Sequence, residues 1–113
     1  MGGVAFHRDI RKAEVEQRGH AGVEHEAGQP KGRYVVRVGE AEAEMTYSRA
    51  GEHLVIIDHT EVPDALRGQG VGERLMRRAV EDARAAGDQI LPLCPFALAQ
   101  MQRHPEWHDV LQG

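Results

Sequence analysis

A single cysteine, Cys94, stands in a chain of 113 residues, so no internal disulfide can form. That scarcity points to a reducing, cytoplasmic setting. Basic residues are outnumbered: 14 Lys and Arg against 18 Asp and Glu leave a net charge of −4 with neutral histidines. A nucleic-acid-binding module is usually basic, so this balance argues against one, and it suits a cationic amine partner. No apolar run approaches the ~18 residues of a membrane span. The stretch Met1–Asp9 lacks the apolar core of a secretory signal. Internal repeats, linkers and low-complexity segments are missing too. What is present is ordinary for a soluble globular protein, 41% apolar and 28% charged. The length allows one domain and one core, with no room for a large separate substrate domain.

Residues 1–20 are expected to form an extension, either a mobile tail or a short, loosely packed helix with Ile10, Ala13 and Glu14 on one side. A single domain is expected over residues 21–113. Val23 to Glu26 reads as a short first strand. In the next segment Tyr34, Val36 and Val38 share one face while Arg33 and Arg37 point away. Gly39-Glu40 reads as a hairpin turn. Ala41, Ala43, Met45 and Tyr47 then alternate with polar residues, which predicts a half-buried strand. Leu54–Ile57 is apolar on both faces and predicts a central strand, with a polar end through Asp58, His59, Thr60 and Glu61. Val71, Leu75, Met76, Ala79, Val80 and Ala83 recur at helical spacing, and Gly87 is placed to end that helix. Gln89–Leu93 is the last strand. Pro92 has no N–H for a ladder, so pairing should fail there, as it would for a plain edge strand. Pro95 suits the first turn of a second helix, which Pro105 stops.

Between the central strand and the main helix lies Arg67-Gly68-Gln69-Gly70-Val71-Gly72. Glycines at alternate positions leave backbone N–H groups uncovered, and the first N–H groups of a helix have no partner inside it. The helix dipole adds partial positive charge at the same place. Such a turn suits a phosphate or another anion; it also suits a tight turn with close helix–sheet contact. Two well-known anion loops are excluded. A P-loop requires Lys and Ser/Thr after its last glycine, where this chain has Glu73 and Arg74. A dinucleotide fingerprint requires a third glycine at the position of Glu73.

The same stretch resembles the Arg/Gln-x-x-Gly-x-Gly/Ala signature of the GNAT superfamily of N-acetyltransferases. His59-Thr60-Glu61-Val62-Pro63 before it, and Pro92-Leu93-Cys94-Pro95-Phe96 with Arg103-His104-Pro105-Glu106 after it, are similar to a small single-domain branch of that superfamily. The likeness runs from about Val23 to about Val110. It implies an α/β (α+β) fold with a mixed, twisted sheet of about five strands, one main helix and one short C-terminal helix. It implies that the two strands flanking the main helix splay apart and admit the pantetheine arm of coenzyme A. It implies acetyl-CoA as co-substrate, a primary amine on a small molecule or protein as acceptor, and no metal. Arg67, Gly68, Gln69, Gly70, Val71 and Gly72 are then expected to hold the pyrophosphate through main-chain N–H groups. Backbone groups of Glu61 and Val62 are expected to line the pantetheine, with an N–H near Val62 facing the thioester oxygen.

The chemistry so implied needs a base, donors for a developing oxyanion and a way to stabilise the departing thiolate. Cys94, at the N-cap of the second helix, is placed to accept the acetyl group in a two-step route, or to serve as a small buried hydrophobe. His59 and Glu61, two apart on one strand, are the candidate bases, and a β-bulge between them would put them on different faces. His104 and His108 have helical metal-pair spacing, but Pro105 lies between them. Arg74, Arg77, Arg78 and Arg84 read as a solvated helix face. Trp107 and Phe96 read as core or lid packing. The rival to an enzyme is a non-catalytic acyl-CoA-binding or sensor module. A monomer or a weak homodimer is expected, since open strand edges permit pairing without demanding it.

Overall fold

Five strands form one sheet in chain order: β1 (Val23–Glu26), β2 (Lys31–Val38), β3 (Ala41–Ala50), β4 (Leu54–Glu61) and β5 (Gln89–Pro92). The computed structural model describes residues 22–28 and 30–112; the expected extension over 1–20 lies outside the described residues. β1 to β4 are antiparallel neighbours, and β5 joins β4 in parallel. Parallel pairing needs a long crossover, which helix α1 (Val71–Ala86) supplies. A short helix α2 (Pro95–Arg103) and two 3-10 turns, Asp64–Leu66 and Pro105–Val110, complete the chain. The expected mixed five-stranded sheet with one main and one short helix is the fold observed.

The core lies between α1 and one face of the sheet. Tyr34 and Val36 of β2, Ala43, Met45 and Tyr47 of β3, and Val55 and Ile57 of β4 meet Leu75, Met76, Ala79, Val80 and Ala83 of α1. These α1 positions fall three and four apart, so they form one stripe. Leu75, Met76 and Val80 are fully buried, each contributing about 1.5–3 kcal/mol relative to an exposed side chain. The other face of the sheet carries charge. Arg33 reaches Glu26, Glu42 and Glu44, and Arg37 reaches Glu24, Glu26 and Glu42. Val35 points to that same face and is fully buried.

Of the α1 arginines expected on a solvated face, Arg77 and Arg84 are exposed, whereas Arg78 is turned inward with its side chain 12% exposed. Arg78 donates to the Val23 carbonyl at 3.0 Å and pairs with Asp82 at 3.2 Å. Arg77 lies over the Trp107 ring, and Arg84 grips Asp109 through two hydrogen bonds of 2.7 Å. Their long stems bring the charge to partners on neighbouring elements, binding the helix to β1 and to the C-terminal 3-10 turn. Beyond that turn Gln112 donates to Ile90 at 2.8 Å, and Leu111 bridges Ile90 along the outer edge of β5.

One irregularity sets the position of the site. Tyr47 lies opposite Ile57, but Thr46 lies opposite His59, so Asp58 is an extra residue on β4. Ser48 donates to its carboxylate at 2.9 Å. A one-residue slip exchanges the faces of everything that follows. Thr60 therefore shares the inner face with Met45, and His59 and Glu61 are turned outward. Deleting Asp58 leaves Thr46 opposite His59 and Met45 opposite Thr60, so both faces are kept and what is lost is the Ser48–Asp58 hydrogen bond. The expected cost is about 1 kcal/mol for that bond, read as a lower urea midpoint with the m-value unchanged.

Candidate functional site

The start of α1 is open. Its first internal hydrogen bond runs from the Arg74 N–H to the Gly70 carbonyl at 3.1 Å. The N–H groups of Val71, Gly72 and Glu73 come before it and have no acceptor within the helix. No side chain among the described residues caps them: Gly70 holds the N-cap position, and Gln69 turns back to donate to the Ala65 carbonyl at 3.2 Å. Gly68 and Gly70 have φ of +79° and +73°, a conformation that suits glycine alone, and a Cβ on either would meet nothing within 4 Å. The space in front of these amides is therefore vacant of protein.

β4 and β5 part beside it. Their parallel register ends at Ile57 and Pro92. The N–H groups of Leu93 and Cys94 both converge on the Ile57 carbonyl, at 3.1 and 3.3 Å. From Asp58 onward β4 has no β5 partner. Cys94 ends the run in extended conformation as the N-cap of α2, with Pro95 at the first helical position. Its Sγ accepts the Ala97 N–H at 3.4 Å and lies 3.4 Å from Thr60 Oγ1. The sulfur is buried, 7% exposed as a residue.

A cavity of about 820 Å³ joins the two features. Thr60 and Val62 line one end, Gly68, Gly70 and Gly72 line the helix start, and Phe96, Gln100, Arg103 and His104 close it from α2 and beyond. The volume is in the range of cofactor and small-ligand clefts. Of the expected loop residues, Arg67, Gly68, Gly70, Val71 and Gly72 line the cavity, whereas Gln69 does not. Cys94 does not line the cavity; its Sγ touches Thr60, which does. His59 and Glu61 do not line the cavity: they share the outer face, 3.8 Å apart, because the bulge precedes both rather than separating them. Phe96 meets Gly72 so closely that a Cβ there would come within 2.4 Å of the ring. His104 and His108 have separate partners, His104 with Glu73 and Glu106, and His108 donating to the Met101 carbonyl at 2.7 Å.

Gln100 escaped the sequence reading. It is 6% exposed, lines the cavity, and its Oε1 has no hydrogen-bond partner among the described residues. A buried carboxamide left in this state costs about 1–3 kcal/mol, so something else must satisfy it. The signal was a polar residue on the apolar stripe of α2, between Ala97 and Met101. Thr60 was missed for a different reason: it faces the cavity only because of the Asp58 bulge.

A family profile described as GCN5-related N-acetyl-transferase matches residues 33–110. Protein NATD1 of Mus musculus is 35% identical over 69 residues, covering 59% of this chain and 61% of the mouse protein. The chain thus spans about three-fifths of that relative's length. A GCN5-like protein from Staphylococcus aureus, solved in solution by NMR, superposes with a TM-score of 0.64 at 35% identity, over 82% of this chain and 91% of that one. The IAA acetyltransferase from Bacillus cereus superposes with a TM-score of 0.53 at 25% identity, over 66% of this chain and 54% of that one. Profile, relatives and geometry agree that the chain belongs to the GCN5-related N-acetyltransferase (GNAT) family.

Proposed function

We propose that the chain transfers an acetyl group from acetyl-CoA to a primary amine, as a member of the small single-domain branch carrying the Pro-Leu-Cys-Pro-Phe block. One observation carries this reading: the uncapped start of α1 opens into a cavity that ends where β4 and β5 part, next to Thr60 and Cys94. Main-chain N–H groups from Arg67 to Gly72 hold the diphosphate. The pantetheine arm, which carries two amide groups, passes Gln100 and reaches Val62, whose N–H faces the thioester oxygen. The fit rests on vacant space over Gly68 and Gly70 and on the orphaned Gln100 oxygen.

In the two-step route the Cys94 sulfur bonds to the acetyl carbon and coenzyme A leaves as its thiol. The amine nitrogen then takes the acetyl group, loses one proton, and Cys94 is restored. Thr60 Oγ1 lies within reach of the sulfur to exchange that proton. In the direct route the amine attacks the thioester, and His59 or Glu61 takes the proton from an acceptor arriving at the outer face. A second reading, an acyl-CoA-binding module with little turnover, is favoured by one fact: neither His59 nor Glu61 lines the cavity. As for assembly, the β1 edge permits a weak homodimer of an otherwise monomeric chain.

Three measurements test this reading. Calorimetric titration with coenzyme A should show Gly70→Val abolishing detectable binding, since a branched side chain at positive φ both strains the turn and fills the anion site, while Gln69→Ala changes affinity by less than about threefold. Equal losses in the two variants would argue against the loop. Gln100→Leu should raise the melting temperature of the unliganded protein while weakening coenzyme A binding about tenfold, since one hydrogen bond is lost only in the complex. Incubation with acetyl-CoA labelled in the acetyl group and a panel of amines, in wild type and Cys94→Ala, separates the routes. An acetyl-protein trapped in wild type and missing from the variant supports the two-step route, full turnover by the variant supports direct attack, and binding without turnover supports the sensor.

A further inference from the structure

Acetyl transfer needs a group to meet the coenzyme sulfur as the thioester breaks, and the base candidates do not supply it. His59 and Glu61 face the other side of β4, and both tyrosines line a separate cavity with His25 and Asp82. Among the described residues, Thr60 carries the only hydroxyl in the wall of the large cavity. It lies beyond Ile57, where β4 has lost its β5 partner. The hydrogen bonds around that hydroxyl give it a direction. Cys94 Sγ accepts the Ala97 N–H at 3.4 Å, and its other partner is Thr60 Oγ1, also at 3.4 Å. An amide N–H cannot accept, so Thr60 Oγ1 is the acceptor for the thiol's own hydrogen. The Thr60 hydrogen is then free, and the Thr60 side chain has no other hydrogen-bond partner among the described residues. Because Thr60 lines the cavity, its O–H is offered there. Gln100 independently marks this wall as built for a polar ligand: its buried Oε1 lacks a partner in the same cavity.

Resting on the acetyl-transfer reading above, we propose that Thr60 is the hydrogen-bond donor to the departing coenzyme A sulfur, and that Cys94 is a positioning residue that aims this hydroxyl rather than a carrier of the acetyl group. The amine nitrogen bonds to the acetyl carbon, the carbon–sulfur bond breaks, and its electron pair stays on the coenzyme sulfur. That sulfur accepts the Thr60 O–H. The proton shed by the new amide goes to the base or water on the amine's side, and the coenzyme takes a proton from solvent as it leaves. A donor held in place before the bond breaks needs no reorganisation at that moment. The role also fits the burial of Cys94, which is 7% exposed and does not line the cavity. A nucleophile must reach the acetyl carbon; a positioning group need only reach Thr60.

Two measurements test the assignment. The first needs no turnover. Cys94→Ser removes the only thiol of the chain, so thiolate absorbance in its complex with coenzyme A belongs to the ligand. At one fixed pH near ~8.5, an ordinary thiol value, the thiolate-to-thiol ratio of bound coenzyme A should be about tenfold higher in Cys94→Ser than in the Cys94→Ser, Thr60→Val double variant. Equal ratios would overturn the proposal. Should Cys94→Ser not fold, Cys94→Ala is the thiol-free background for the same comparison. The second is steady-state kinetics with acetyl-CoA and the best amine of the panel. Thr60→Val should lower kcat about tenfold with KM for acetyl-CoA unchanged, and Thr60→Ser should restore most of the loss. Cys94→Ala should lower kcat about fivefold, and Cys94→Ser should regain it, because its O–H donates where the S–H did. A Cys94→Ser variant no better than Cys94→Ala, or an acetyl-protein trapped in wild type, would overturn the proposal in favour of the two-step route. If wild type binds coenzyme A without turnover, the thiolate ratio decides. No binding by wild type would overturn the coenzyme A reading itself and this inference with it.

Discussion

The Ile57 carbonyl is where the parallel ladder ends, and the site depends on how it ends. Pro92 has no N–H to extend the pairing, so the next two donors, from Leu93 and Cys94, turn onto one oxygen. The chain then leaves the sheet and enters α2. β4 continues alone for four residues, Asp58 to Glu61, with one edge unmatched by β5. A gap between parallel strands would ordinarily be filled or closed. Here the glycine turn follows β4 at once, so the gap and the bare helix start open into the same space. A proline and three alternate glycines, none of which has a functional side chain, thus create the cleft by withholding donors and Cβ atoms.

Much of this could be read from the residues. The apolar stripe of α1, the alternation in β2 and β3, the glycine at each end of α1 and the two prolines around α2 each name a local conformation with few rivals, and each was observed where expected. The cavity lining was legible where backbone made it, at Arg67 to Gly72. It was less legible where side chains made it. Strand parity assumes that no residue is extra, and Asp58 breaks that assumption: it hands the inner face to Thr60 and sends His59 and Glu61 outward. Arg78 was misjudged because sequence spacing shows which side a stem leaves from, not how far its guanidinium folds back to Val23. Gln100 went unnoticed because a single polar residue in an apolar stripe is easily taken for tolerated noise.

The two faces of β4 beyond the bulge have different chemistry. Inward lie a hydroxyl and a sulfur, both within a largely apolar wall; outward lie an imidazole and a carboxylate in water. This separation suits a reaction whose donor and acceptor approach from opposite sides of a sheet. A thioester is best kept from water, and an amine is best met by a solvated base. The charged lattice of Arg33 and Arg37 covers the outer face of β1 to β3 only, so the outward side of the β4 end is left open.

Phe96 and Gly72 fix one further property. The ring at the front of α2 rests where a side chain on α1 would otherwise stand, so the two helix starts touch without an intervening atom. Neither helix can move toward the other, and α2 is tethered to β4 through the Cys94 N–H. Even the smallest side chain at position 72 would have to displace the Phe96 ring from this wall of the cavity.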